Sequence, residues 1–250
     1  MTAKLARPVF VPPDWIGSRH RSCKAPGLCL FLLGVLLCVA PKAAAQAYRA
    51  ERITAAAPPE LASAVRETLT GEALRVVGPE GLLCELWLRK AVPAKTSAVP
   101  EMGISYGQFA EGTLVGAVRF PAEVKDYRRQ RVKPGVYTLR YALIPVDGNH
   151  LGVAPQRDFL LLAPATADVS PANVTRDEAL NLSRKTTGTQ HPSVWSLATV
   201  EGEPAPLPVV THREEADLWV LHCRVQIQLG DGAPSPLLIA LVVVGQAPEA

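Results

Sequence analysis

The densest group of reactive side chains lies between Pro145 and Phe159, in the stretch PVDGNHLGVAPQRDF. Asp147, Asn149, His150 and Asp158 could supply oxygen and nitrogen ligands, and Arg157 a guanidinium for an anion or a carboxylate. The spacing fits no familiar metal cage. A calcium loop needs acids at alternate positions before a glycine, and a zinc site needs H-E-x-x-H or paired C-x-x-C. His191 lies in a second loop and could meet His150 in space, whereas His212 sits in a charged turn and His222 on the polar face of a strand. One reading therefore makes Asp147, Asn149, His150, Arg157, Asp158 and His191 a ligand-binding or partner-binding set. A second reading is structural: Asp147 and Asn149 bond their own backbone in turns, and Arg157 or Asp158 pairs with neighbours to hold the loop down. A third, from a different class, is a metal-dependent or hydrolytic enzyme in which His150, Asp158 and His191 converge. The sequence assigns no catalytic residue, no cofactor and no metal-ligand set, and it carries no G-x-S-x-G elbow.

Two further features carry potential chemistry. Cys84 and Cys223 both alternate with polar residues on strand-like segments, which places each on an apolar face where a thiolate is disfavoured. A disulfide between them would close a long loop and contribute about 4–5 kcal/mol in the chain-entropy view. The alternative is two separate buried thiols acting as small apolar side chains. The run KDYRRQRVK, Lys125 to Lys133, holds five basic residues in nine. It reads first as a solvated turn between strands and second as a phosphate or polyanion site.

These residues must be positioned by extended backbone. Leu82–Arg89 puts Leu82, Cys84, Leu86 and Leu88 on one face, and Val136–Ile144 does the same for Tyr137, Leu139, Tyr141 and Leu143. Such alternation marks half-buried strands. Thr113–Phe120, Phe159–Ala163 and the segment around Trp195 are further strands. Leu218–Leu229 alternates over its whole length, and the eight apolar residues Leu237–Val244 suit a strand buried on both faces. Pro59–Leu69 spaces Leu61, Val65 and Leu69 as one face of a short helix, while Tyr48–Pro59 reads as loosely ordered. A second helix is expected from Thr175, where Thr-x-x-Glu gives a capping box and Gly188 a stop. About eight strands with one or two short helices predict a mainly β fold, a single two-layer antiparallel β-sandwich over residues 71–246. Residues 48–70 precede it as a segment with the short helix, residues 247–250 form a tail, and the second helix is expected over an edge or one end.

The N-terminus sets the expected address. Leu28–Ala40 is thirteen residues without a charge, preceded by Arg19, Arg21 and Lys24 and followed by PKAAAQA. That is the pattern of a secretory signal peptide over residues 1–47, with cleavage near Ala47. The apolar block is shorter than the ~20 residues a spanning helix needs, so no transmembrane segment is expected in the mature chain. Residues 1–47 carry six basic residues and one acidic residue, so their removal takes the formal charge from +3 to −2. Bulk charge then gives no reason to expect a nucleic-acid partner.

The stretch GVYTLRYALIPVDGNHLGVAPQRDFLLLAPA, continued by SRKTTGTQHPSVWSL and PLLIALVVVG, resembles a family of uncharacterised exported bacterial proteins over most of residues 70–245. The resemblance implies a periplasmic or secreted protein and brings no activity or site residue. The expectation is an exported module that binds an envelope protein or a small ligand, or has a structural role.

Overall fold

The computed structural model describes residues 48–95, 101–147, 156–202 and 204–247. The leader over residues 1–47, the candidate residues Asn149 and His150, and the last three residues of the tail lie outside this range.

In chain order the elements are β1 (Arg49–Thr54), α1 (Ser63–Arg66), β2 (Glu72–Gly78), β3 (Gly81–Leu88), β4 (Val92–Ala94) and β5 (Leu114–Phe120). They continue with β6 (Val124–Lys125), β7 (Arg131–Val132), β8 (Gly135–Leu143), β9 (Asp158–Pro164), α2 (Arg176–Thr187) and β10 (Val194–Ala198). The chain ends with β11 (Val209–Arg213), β12 (Leu218–Leu229) and β13 (Ser235–Val244). The protein is mainly β, as its alternation predicts. One large sheet has the order β1-β2-β3-β5-β8-β9-β10-β13-β12-β11, and β4 joins β12 as the parallel pair of this otherwise antiparallel sheet. β6 and β7 form a separate small hairpin.

The sheet doubles back at β10. Val194, Trp195 and Ser196 pair with β9, whereas Leu197 and Ala198 pair with β13. One strand thus belongs to both layers, and the main core lies between them. Cys84, Leu86, Val118, Leu139, Tyr141, Leu160 and Leu162 come from the first layer, and Leu221, Cys223, Val225, Ile239 and Leu241 from the second. The two outermost strands, β1 and β11, come close together without pairing. There Tyr48 packs on Trp219 with ring centroids 4.9 Å apart, and His212 stacks on the same indole at 4.4 Å.

Two details correct the sequence reading and a third sharpens it. Residues 49–54 are not loose: they form β1, which pairs with β2 from Arg49↔Val77 to Thr54↔Glu72. The segment RAERIT keeps only Ala50 and Ile53 partly covered, so an edge strand lacks the apolar alternation of a central one. The described residues form thirteen strands where about eight are expected: the sequence reading passes over β1, β2 and β11 as well as β4, β6 and β7, which are two or three residues long. Finally, α2 lies on the outer face of β9, beside the turning strand β10 and so towards one edge of its layer: Ala179 and Leu180 pack on Ala142, Phe159 and Leu161. This explains why β9 reads as an unbroken apolar run. Leu160 and Leu162 face the core, while Phe159 and Leu161 face the helix.

The boundaries of α2 follow from local chemistry. Thr175 accepts a bond from the Glu178 amide and the Glu178 carboxylate accepts one from the Thr175 amide, which completes the capping box; Gly188 closes the far end at φ 67°. The helix expected over 59–69 is only the four-residue α1, with Leu61 and Leu69 flanking it; together with Val65 they pack in one cluster with Trp87, whose indole N–H donates to the Ala55 carbonyl at 2.9 Å. Gly116 is needed where β5 crosses β3, since a Cβ there would stand 2.4 Å from the Trp87 carbonyl oxygen.

Candidate functional site

Asp158 is the first residue of β9 and is fully buried. Its carboxylate accepts the backbone amides of Ser105 at 2.7 Å and Tyr106 at 3.0 Å, and the Tyr141 hydroxyl at 2.6 Å. A buried carboxylate is tolerated where several donors replace its water, and here three do. Burial first, and then the bond to Asp158, push the Tyr141 phenol far above its ordinary value. Tyr106 extends the connection: its hydroxyl donates to the Ala198 carbonyl at 2.8 Å and accepts the Ala240 amide at 2.9 Å. Asp158 and Tyr106 together tie the 101–110 segment to both layers of the sheet. Burial likewise raises the Tyr106 phenol well beyond the usual tyrosine range.

Arg157 performs the same task on the outside. Its amide donates to the Gly103 carbonyl at 2.7 Å, its Nε donates to the Ile144 carbonyl at 2.9 Å, and its guanidinium pairs with Glu101. The 156–158 end of the loop is thereby fastened to the 101–105 turn, and Ile144, just ahead of the loop's other end, to Arg157. Ser105 adds a bond from its hydroxyl to Gln156 at 3.3 Å. On this fastened turn Met102 is 93% exposed, and Val146, just past β8, is 72% exposed. Asp147 is exposed at the start of the loop.

Of the six sequence-predicted residues, Asn149 and His150 lie outside the described range, and among the others His191 stands apart from Arg157 and Asp158. Asp158 turns its carboxylate inward to two backbone amides and the Tyr141 hydroxyl, and Arg157 bonds backbone carbonyls and Glu101. His191 lies in the exposed turn after α2, where its amide donates to Thr189 Oγ1 at 3.1 Å and its carbonyl accepts from Thr187 Oγ1 at 2.7 Å. Leu161 pairs with Val194, and the Leu162 amide reaches the Ser193 carbonyl, so His191 belongs to the Pro164 end of β9. About 10 Å of strand or more separates it from Asp158. The converging arrangement that the enzyme reading requires of Asp158 and His191 is absent. Among the described residues no three His, Cys, Asp or Glu side chains gather as metal ligands would. No helix among them is long and apolar enough to cross a membrane.

Cys84 and Cys223 are both buried free thiols in the same core cluster, which corrects the disulfide reading. Burial pushes both thiols up, Cys223 to about 12 and Cys84 further. Neither is available as a thiolate nucleophile at neutral pH.

Three polar centres have no conspicuous sequence signal. Arg140, on the face of β8 opposite the core, uses all five guanidinium donors. Nε and Nη2 hold the Asp168 carboxylate at 2.7 Å each, Nη1 reaches the carbonyls of Gly112 and Ala172 at 2.7 and 2.9 Å, and Nη2 reaches that of Ser170 at 2.6 Å. Thr138 also donates to Asp168. Glu85, buried on the outer face of β3, lies between Arg75 at 2.9 Å and Arg119. Asp126, in the KDYRRQRVK run, accepts the amides of Arg128 and Gln130 at 2.9 Å, the Gln130 side chain at 3.0 Å and the Val194 amide at 3.1 Å. Desolvation nevertheless outweighs those bonds and raises its carboxyl above the ordinary aspartate value.

The run is thus a basic β6–β7 hairpin fastened to the chain entering β10. Gln130 completes the fastening by donating to the Pro192 carbonyl at 2.8 Å. Beside the hairpin, an open groove of about 340 Å³ lies between Lys133, Tyr137, Pro164 and the last turn of α2.

Fold and site together define a mainly β domain whose buried charges hold loops to a doubled sheet. Compared with known protein families, curated proteins and solved structures, the chain matches none.

Proposed function

We propose that this protein is an exported, non-catalytic binding module of the cell envelope, periplasmic or extracellular after removal of residues 1–47. Its partner contact is the end of the sheet where the 101–105 turn meets the ends of the 145–158 loop. The observation that carries this reading is a contrast at that end. Arg157 and Asp158 spend their polar groups on bonds within the chain, to backbone, to Tyr141 and to Glu101, while Met102 and Val146 stand 93% and 72% exposed on the segments that flank those bonds. Large apolar side chains held on an ordered turn favour association with another protein surface. The leader-like pattern of residues 1–47 supports export, and an envelope protein is the partner consistent with that address.

A photo-crosslinking residue at Met102 or Val146 tests the reading in cells carrying the full chain, with Gly232, at the β12–β13 turn, as the control position. The expected result is one discrete adduct from both apolar positions and none from the control, with the protein fractionating outside the cytosol. Equal labelling at all three positions, or none at Met102 and Val146, overturns the contact. Recovery of the unprocessed chain from the cytosol overturns the address.

A further inference from the structure

At the opposite end of β8 from the Asp158 clamp, roughly 25 Å away along the strand, the groove beside the basic hairpin has its own chemistry. Its floor is apolar, with Val136, Pro164 and Ala165. One wall carries Lys133, at the end of the hairpin, and the other carries Lys185, in the last turn of α2. Both lysines are exposed, and neither has a carboxylate partner among the described residues. We infer that this groove binds a small amphipathic anion: a phosphate monoester head between Lys133 and Lys185, with a flat apolar body on Val136, Pro164 and Ala165.

Three observations support the site independently of the proposed partner contact. The walls are fixed relative to each other. Gln130 bonds the Pro192 carbonyl and accepts from Thr189 Oγ1 at 3.3 Å, while the Tyr137 hydroxyl donates to the Lys133 carbonyl at 2.8 Å. A preformed site loses little freedom when a ligand enters. The volume is in the range of small-ligand clefts, which begin at about 300 Å³. The charge is local: Lys133 and Lys185 line the groove, and Lys133 ends a hairpin that also carries Lys125, Arg128, Arg129 and Arg131 outside it. Lysine ammonium groups suit a phosphate head as point charges.

Two features oppose an anion there. Glu60 lines the groove, and the carbonyl end of α2 carries negative partial charge. Elsewhere on the hairpin, Glu123 is engaged with Arg131 at 3.7 Å, and Asp126 is buried in its backbone bonds. The basic residues therefore outnumber the acids that face solvent. Glu60 also supplies a test of sign, because removing its charge should strengthen binding.

The probe is 1-naphthyl phosphate, titrated by calorimetry into the chain beginning at Tyr48, beside 1-naphthol, inorganic phosphate and vesicles containing phosphatidic acid. The naphthyl phosphate should bind with one site per chain, and naphthol and inorganic phosphate much more weakly, since each lacks one half of the recognition. Replacing both cations, K133Q with K185Q, should weaken binding about ten-fold, and E60Q should tighten it about three-fold. Lys95→Gln, away from the groove, should change nothing, and all variants should melt as the parent does. Equal binding of naphthol, an unchanged affinity in the double lysine variant, or weaker binding in E60Q overturns the inference. Capture by vesicles without binding of naphthyl phosphate overturns it too, since it would make the hairpin a surface contact instead of a groove site. None of these outcomes depends on the contact at Met102 and Val146.

Discussion

Replacing Asp158 distinguishes a clamp from a reactive group. Asp158→Ala removes the acceptor of the part-buried Ser105 amide, the buried Tyr106 amide and the Tyr141 hydroxyl. Hydrogen bonds to a charged acceptor contribute about 1.5–3 kcal/mol each. Tyr141 can turn its hydroxyl and water can enter the space left, so we expect a loss of about 3–5 kcal/mol rather than the full sum. Asp158→Asn keeps the shape. Its oxygen can still serve Tyr106 and Tyr141, but its NH2 then faces the Ser105 amide, so we expect about 1–3 kcal/mol. Tyr141→Phe removes one of the three donors to this carboxylate and should cost about 1.5–3 kcal/mol. Urea denaturation of the chain from Tyr48, followed by tryptophan fluorescence, measures all three. The expected order puts Ala first, with Asn and Phe below it. An Ala variant that unfolds at the parent's urea concentration would refute the clamp and return Asp158 to the set of reactive candidates.

Other consequences are equally open to measurement. Asp168→Ala leaves the Arg140 guanidinium buried without its counter-ion and should cost about 3–5 kcal/mol; adding Arg140→Met should recover part of that loss in a double-mutant cycle, and strict additivity would contradict the pairing. His222 is buried with Nε2 bonded to Thr211 at 2.9 Å, and its pKa is lowered by burial and then by Arg213, with Glu201 opposing. The unfolded chain therefore binds the proton first as pH falls. Stability from this group is complete above the ordinary histidine value of 6.5 and falls as pH drops through it. His222→Gln should flatten urea-measured stability in that window relative to the parent, and an unchanged slope would refute it. The thiols of Cys84 and Cys223 should resist an aromatic disulfide reagent in the native chain from Tyr48 and react together on unfolding; a native disulfide by mass would contradict the free, buried pair.

The sequence exposes what is local. Thr175, Glu178 and Gly188 announce both ends of α2 because a cap is made within four residues. Strand β12 shows its alternation along its full length, and its observed bounds match it. Strands β1 and β11 escape notice because edge strands carry charges and part-covered residues on both faces. Arg140 illustrates the harder failure. Within VYTLRYAL it occupies the face opposite Tyr137, Leu139 and Tyr141, where a charge reads as solvated. What buries it is the 165–172 segment, whose placement no periodicity in β8 reveals. The same holds at the candidate site. Asp158 and Arg157 stand out as reactive types, but their partners lie some fifty residues away in the 101–106 turn, and only the fold brings them together.

The handover within β10 bears on how the molecule comes apart. Because Trp195 is stitched to one layer and Leu197 to the other, neither layer can peel away while its counterpart stays whole. Melting should therefore be all-or-none, with the calorimetric and van't Hoff enthalpies equal and no half-open species for proteases to catch.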